Sequence, residues 1–390
     1  MFNIQNKQRC ILNTRIDFSQ PLPVILRNGR ILEPDDGDGH IILGSGDAMM
    51  LSCENGGTLV HPNTKSQRET ALIYCEVNHY FKNEDWLNAP SSFSNFRCNN
   101  PPNYHSKRTD RICFEGNPVI EVGYTVLNDF YPVFESCFDE VNFNAIYSKY
   151  TQKPYNAMYQ TRVERPFFID NNNYRNISVD LLFSPRGQKA AVAQLVGPLV
   201  NSYITTSSLL SRGHLAAKTD FVFAFTERAT FHYVNCAPQW TGFNGGNWNT
   251  LEVDLRNHIH AVGYDTIIYT GTYGVSQLVD NYGRRVDLHL YTDHNNNPII
   301  RIPQYFYKVV YEPRTKRGIA YVGINNPYYT LSEARDLFFC EDICRNTSGF
   351  SWLTWHPDNP MEGYTFCCTV PSFKNTVHHL PPFEVNGLLI

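Results

Sequence analysis

A chain of 390 residues, 42% of them hydrophobic and 14% aromatic, is long enough for two or three domains and an ample core. Its 33 basic and 37 acidic residues leave a formal charge of -4, which excludes a generally polycationic nucleic-acid binder. The longest near-apolar run, Ala190 to Val200, is interrupted by Gln194 and is too short for a membrane-crossing helix.

In chain order, Met1 is followed by polar Asn3, Gln5 and Asn6, with no apolar core of a targeting segment. Residues 1–130 read as a β-rich module. Short extended runs fall at Leu22 to Ile31, His40 to Leu43, Ala48 to Leu51, Ala71 to Val77 and Pro118 to Val126. The acidic stretch Glu33 to Gly39 does not have EF-hand spacing and reads as a solvated turn.

Residues 131–390 read as a second domain. Phe143 to Tyr147 is helical or extended. Ala157 to Val163 reads as a strand, Pro185-Arg186-Gly187 as a turn with Gly187 free to take a positive φ, and Ala190 to Leu199 as helix or buried strand. Phe231 to Asn235 reads as a strand. Asn244 reads as the N-cap of a helix whose apolar stripe is Trp248, Leu251, Leu255, Ile259 and Val262. Strands follow at Thr266 to Tyr269, Val286 to Tyr291, Ile302 to Tyr311 and Gly318 to Ile324. Thr330 with Glu333 then forms a capping box for a short helix from Leu331 to Cys340.

Of eleven cysteines, Cys236 is the odd one out beside Asn235, and the other ten suffice for five disulfides in an oxidising compartment. Zinc is the rival use, but the adjacent Cys367 and Cys368 do not make the usual knuckle. Glycosylation sequons at Asn176 and Asn346 are consistent with secretion. From Thr151 to Asp220 there are eight Lys or Arg against four Asp or Glu, a local basic segment that would line a groove for a phosphate backbone.

That segment leads into the chemistry-bearing stretch. Ser211-Arg212-Gly213-His214 is followed by Asn235-Cys236-Ala237-Pro238-Gln239. Then comes Asn244-Gly245-Gly246-Asn247-Trp248, with Leu251, Glu252 and Arg256. An imidazole can activate water near neutral pH. Amide and carboxylate oxygens suit a hard cation, and a guanidinium can clamp phosphoryl oxygens. Taken singly, an Arg-Gly-His triplet is weak, and a Glu/Arg pair four apart on a helix is usually a solvated salt bridge.

Together the three segments resemble the DNA/RNA non-specific endonucleases of the ββα-metal class, and specifically their arthropod branch of insect gut double-stranded ribonucleases and crustacean duplex nucleases. The family pattern is Asp-Arg-Gly-His, Asn-x-x-Pro-Gln and Asn-x-Gly-x-Trp-x-x-Leu-Glu-x-x-x-Arg, matched at unbroken spacing except that Ser211 replaces the aspartate. The resemblance implies an α+β fold: a ββα-metal core with a central antiparallel sheet and flanking helices, beside the β-rich N-terminal domain.

It implies that His214 is the general base and Asn244 the direct ligand of Mg2+, with Mn2+ as substitute. Glu252 would hold the metal through water, and Asn235 would position substrate or base. Arg256 would stabilise the transition state, and Arg212 belongs to the same motif. Arg162, Arg165, Arg186, Lys218 and Lys308 are candidates to contact substrate. The expected function is a secreted metal-dependent endonuclease acting on double-stranded RNA and also DNA, leaving 5′-phosphates, with no membrane and no obligate protein partner. The alternatives are a nuclease preferring duplex DNA and a catalytically silent secreted nucleic-acid binder.

Overall fold

The computed structural model describes residues 9–83 and 85–390. The polar start Met1 to Asn6 lies outside them. From residue 9 to Cys98 the chain forms short antiparallel strands. A six-stranded sheet includes Val24–Arg27, Ala48–Ser52 and Thr70–Val77, and two- and three-stranded sheets lie beside it. The disulfides Cys10–Cys75 and Cys53–Cys98 tie this module internally.

A nine-stranded sheet dominates the remainder. Its order is His105–Ile112, Pro118–Val126, Asp129–Asp139, Asn144–Gln152, Thr266–Tyr273, Tyr305–Glu312, Arg317–Ile324 and Thr365–Cys368. The ninth strand, Gly387–Leu388, runs parallel to Arg317–Ile324, while the other pairings are antiparallel. The boundary expected at residues 130 and 131 falls inside Asp129–Asp139, and the sheet already begins at His105.

Both faces of this sheet are covered, so its central strands read as near-continuous apolar runs. In Tyr305–Glu312 the period of two sends Tyr305, Tyr307 and Val309 to one face, where they pack with Tyr147, Val322 and Phe373. Phe306 and Val310 go to the other, larger core. Lys308 shares their face. So do Ser148, Tyr150 and Gln152 of Asn144–Gln152, and Thr270 of Thr266–Tyr273. A polar stripe therefore crosses the sheet beneath the elements that follow.

Those elements are a hairpin, Leu210–His214 paired with Cys236–Trp240, and the helix Asn249–Val262. They complete the expected α+β, ββα arrangement. Several local expectations are corrected. Phe231 to Asn235 is not a strand but leads into a tight turn, Tyr233–Asn235. The His232 side chain caps that turn by accepting from the Val234 amide. Ala157 to Val163 contains no strand, because Pro154 opens a 3-10 turn at Pro154–Met158 and Asn156 caps it. Pro185 starts the helix Pro185–Val196, capped by Ser184, which resolves Ala190 to Leu199 as mostly helical. Gly187 has no positive φ. It is small because a Cβ there would lie 2.0 Å from the Leu181 carbonyl oxygen. The Thr330–Glu333 capping box is present, heading Leu331–Asp336.

Candidate active site at the hairpin and helix

The hairpin sets His214 opposite Cys236 and Gly213 opposite Ala237. Gly213 admits no side chain: a Cβ would meet Gln239 Oε1 at 2.4 Å and Gln239 Cβ at 2.6 Å. Arg212 and His214, two apart, share a face. Phe168 and Phe231 flank the imidazole edge-on, with centroids 5.1 and 4.7 Å away. The residue is half-buried, yet Nε2 is enclosed and has no hydrogen-bond partner. Desolvation, with the charges of Arg165 and Lys218, pushes the His214 pKa down to about 3, against a weaker opposing backbone hydrogen bond at Arg212. The imidazole is therefore neutral at neutral pH, and Nε2 offers an uncommitted polar atom.

Asn235 sits under this base with every valence filled. Its Oδ1 accepts from the Ser148 hydroxyl and the Ala216 amide, both at 2.8 Å. Its Nδ2 donates to the Ala216 and Thr230 carbonyls, both at 2.9 Å. It is fully buried and faces protein, so its placement fits holding the chain after His214 rather than touching substrate. Arg212 is also engaged: it donates to the Tyr233 hydroxyl at 2.7 Å and pairs with Asp180 at 2.5 Å. Asp180 thus brings a carboxylate to the arginine beside Ser211, the position where the family's aspartate is replaced.

Asn244 is not an N-cap. The chain is already helical from Thr241, and Asn244–Trp248 is a π-helical turn feeding the main helix. Such bulges are frequent at functional sites. Gly246 breaks the helical geometry with ψ -120°, and a Cβ there would lie 2.7 Å from Glu362 Cα. The Asn244 amide makes no side-chain hydrogen bond among the described residues and is half-buried. Asn247, by contrast, donates to the His356 and Gly363 carbonyls and accepts from the His356 amide.

Below the helix lies a buried charge network. Arg256, 3% exposed, pairs with Asp220 at 2.7 Å, not with Glu252. Asp220 also accepts from the Tyr150 hydroxyl at 2.6 Å and the Gln152 amide at 2.9 Å. Lys308, fully buried, donates to the Tyr150 and Thr270 hydroxyls. Burial lowers its pKa, against the pull of Asp220 and Glu252. The half-buried Glu252 makes no hydrogen bond among the described residues, and burial raises it to about 7 despite the charges of Lys308 and Arg256. Lys218 is held by the Val163 carbonyl at 2.9 Å and by Glu227 at 3.4 Å.

Of the candidate substrate contacts, Lys308 is thus sealed and Lys218 is tethered. Arg162, Arg165 and Arg186 are exposed, and of these Arg165 acts on His214. Sequence reasoning missed Asp220, Asn247, Asp180 and Glu227. Asp220, six residues after His214, is the one a search for a buried partner of Arg256 could have found.

The sequence pattern of the DNA/RNA non-specific endonucleases matches residues 115–373. A salivary endonuclease of Lutzomyia longipalpis is 25% identical over 82% of this chain and 75% of its own length. The salivary protein Tsal2A of Glossina morsitans morsitans is 24% identical over 98% of this chain and 94% of its own. A chain of the EndoG/EndoGI complex superposes with a TM-score of 0.38 at 16% identity, covering 65% of this chain and 87% of that one. With the motif residues gathered on one hairpin and one helix, and the family pattern spanning well over half its length, the chain belongs to the DNA/RNA non-specific endonuclease family.

Proposed function

We infer that the protein is a secreted, metal-dependent endonuclease that hydrolyses phosphodiester bonds of double-stranded RNA, and also of DNA, leaving 5′-phosphates. The observation that carries this reading is the enclosed, unpartnered Nε2 of neutral His214, on the hairpin that runs directly into the turn bearing Asn244. In that role Nε2 is opened to water as substrate enters and takes a proton from it as the water attacks phosphorus in line; the bond to the 3′ oxygen breaks and that oxygen takes a proton from solvent.

The residues fit a hard divalent cation. Asn244 offers an amide oxygen and Glu252 a carboxylate, neither hydrogen-bonded among the described residues, and oxygen donors are what such a cation selects. Asn244 would hold Mg2+ directly, or Mn2+ in its place, and Glu252 through water. When bound, the ion would offset charge on the scissile phosphate. Lys308 and Arg256 act from beneath: their charges favour the carboxylate form of Glu252 against burial and the nearby Asp220. Asn235 and Arg212 fix the segment around His214, Lys218 biases that base towards neutrality, and Arg165 is exposed for a phosphate.

Five disulfides support an oxidising, extracellular setting. The preference for duplex RNA over DNA rests on the family resemblance, because the hydrolytic group does not require a 2′-hydroxyl. The test is cleavage of plasmid DNA, duplex RNA and both single strands, with Mg2+ and with EDTA, followed by end analysis. Cleavage unaffected by EDTA overturns the metal role. Faster cleavage of duplex DNA shifts the substrate assignment, and no cleavage under any condition leaves the silent binder.

A further inference from the structure

The segment before the site carries an aromatic side chain that the hydrolytic machinery does not use. Phe167 is 95% exposed, more than the other exposed large hydrophobic residues described. Its neighbour Phe168 packs between His214, Phe231 and Tyr233. Arg165, two residues earlier, is exposed and close enough to depress His214.

The backbone here is fixed, not loose. Lys218 donates to the Val163 carbonyl at 2.9 Å and Arg228 to the Glu164 carbonyl at 3.3 Å. The Tyr104 hydroxyl donates to the Phe231 carbonyl at 2.9 Å and lies 3.4 Å from Phe167 O, so it packs against the strap at this point. Ile169 bonds in both directions with the chain at Phe231 and Tyr233. Pro166 further restricts the residue before it. A phenyl ring is therefore held out into solvent by a rigid strap whose next residue touches the base.

Single exposed apolar residues are ordinary on protein surfaces. This one differs in being rigidly presented, next to a cation, at the edge of a site for a polymer whose repeating unit has a flat apolar face. We propose that Phe167 stacks on a nucleobase adjoining the scissile phosphate while Arg165 takes the neighbouring backbone phosphate. The contact is sequence-tolerant, because every base presents a π-face. On a duplex it acts as a wedge between base steps, the use that apolar side chains serve in other duplex-bending proteins. This inference rests on the nuclease reading above.

The test uses short oligonucleotides with a single cleavable phosphodiester, either fully based or abasic on both sides of that bond. Phe167→Ala should lower kcat/KM about tenfold on the based substrate, the scale of one stacked base. On the abasic substrate its rate should match wild type, and Phe167→Trp should restore the based rate. An equal loss on both substrates, or no loss on either, overturns the proposal. A separate readout is binding by the His214→Ala protein of an oligonucleotide carrying 2-aminopurine beside the bond. Fluorescence should change on binding, and the change should vanish in the double variant His214→Ala, Phe167→Ala. Wild-type protein that binds with that signal but cleaves nothing counts against the nuclease reading and leaves the stacking contact standing. Retention of the signal in the double variant assigns the ring to something else, such as a protein partner.

Discussion

At the scale of single residues, the site separates groups with an uncommitted atom from groups that are saturated. His214 Nε2 belongs to the first kind, and Asn235 to the second. Replacing His214 with alanine should cut turnover roughly 10²–10⁴-fold, the usual worth of a positioned general base. Truncation also removes the ring packed against Phe168 and Phe231, so the melting temperature should fall while the fold is kept; near-normal turnover by the variant ends the assignment. Glu227 is a different case: it is fully buried, both its oxygens lack hydrogen-bond partners, and Lys218 lies 3.4 Å away. Burial raises its pKa to about 8 against an unfolded value near 4.5. Between those values the folded state holds a proton that the unfolded state has released, so folding stability falls as pH rises from about 4.5 to 8. Glu227→Gln should remove that slope, and its melting temperature should gain most over wild type at pH 8. Parallel melting curves for the two proteins across this range would refute the buried neutral carboxyl.

At the scale of elements, the motif was legible because its chemistry lies in one short stretch with fixed internal spacing. Gly213 is small because Gln239 fills the space above it, and Gly246 because Glu362 does. Spacing alone can record such constraints. What spacing could not record is the polar stripe under the helix. Ser148, Tyr150, Gln152, Thr270 and Lys308 sit on three strands far apart in the chain. They meet only because the period of two turns each to one face and the sheet order brings those strands together. Glu252 and Arg256 looked like a surface pair at helical spacing, but Asp220 from another segment captured the arginine. The helix start was misplaced for a related reason: a chain already turning from Thr241 needs no cap at Asn244. The π-turn is instead clamped from outside, by Asn247 bonding to the loop from His356 to Gly363. Asn247→Ala would strand buried backbone groups, each costing about 1–3 kcal/mol. The melting temperature should fall, by less per kcal/mol than the roughly 2–4 °C that holds for domains of about 150–250 residues. The Mg2+ concentration needed for half-maximal activity should rise, because Asn244 loses its support. A stability loss with an unchanged Mg2+ requirement would separate the clamp from the metal.

At the scale of the whole molecule, the N-terminal module is a buttress with no disulfide, among the described residues, tying it to the sheet. The Thr14 hydroxyl donates to the Met158 carbonyl at 3.1 Å, Arg15 to the Ala157 carbonyl at 2.7 Å, and Gln160 to the Thr14 carbonyl at 3.1 Å. Gly39 permits the approach, since a Cβ there would meet Met158 Cβ at 2.7 Å. The braced segment carries Tyr159, whose ring lies 5.0 Å from the Arg256 guanidinium, so the module reaches the charge network at one remove.

Covalent ties act only within regions. Cys10–Cys75 and Cys53–Cys98 close the module, and Cys113–Cys137 joins neighbouring strands of the sheet. Cys340–Cys368 and Cys344–Cys367 pin the cover that bears the His356 loop. Their loops span 23 to 65 residues, the range in which a cross-link is worth about 3–4 kcal/mol by constraining the unfolded chain. Cys236 has no partner, lies buried opposite His214, and has its thiol pushed well up by burial, so it is inert while the fold is closed. Alkylation of native protein should therefore label no cysteine, and alkylation after unfolding without reductant should label one, at Cys236. Reduction before unfolding should raise the count to eleven. Several labelled thiols in unreduced, unfolded protein would mean that the pairs do not form. The oxidising compartment and the covalent anchoring of the loop that clamps Asn247 would then fail together.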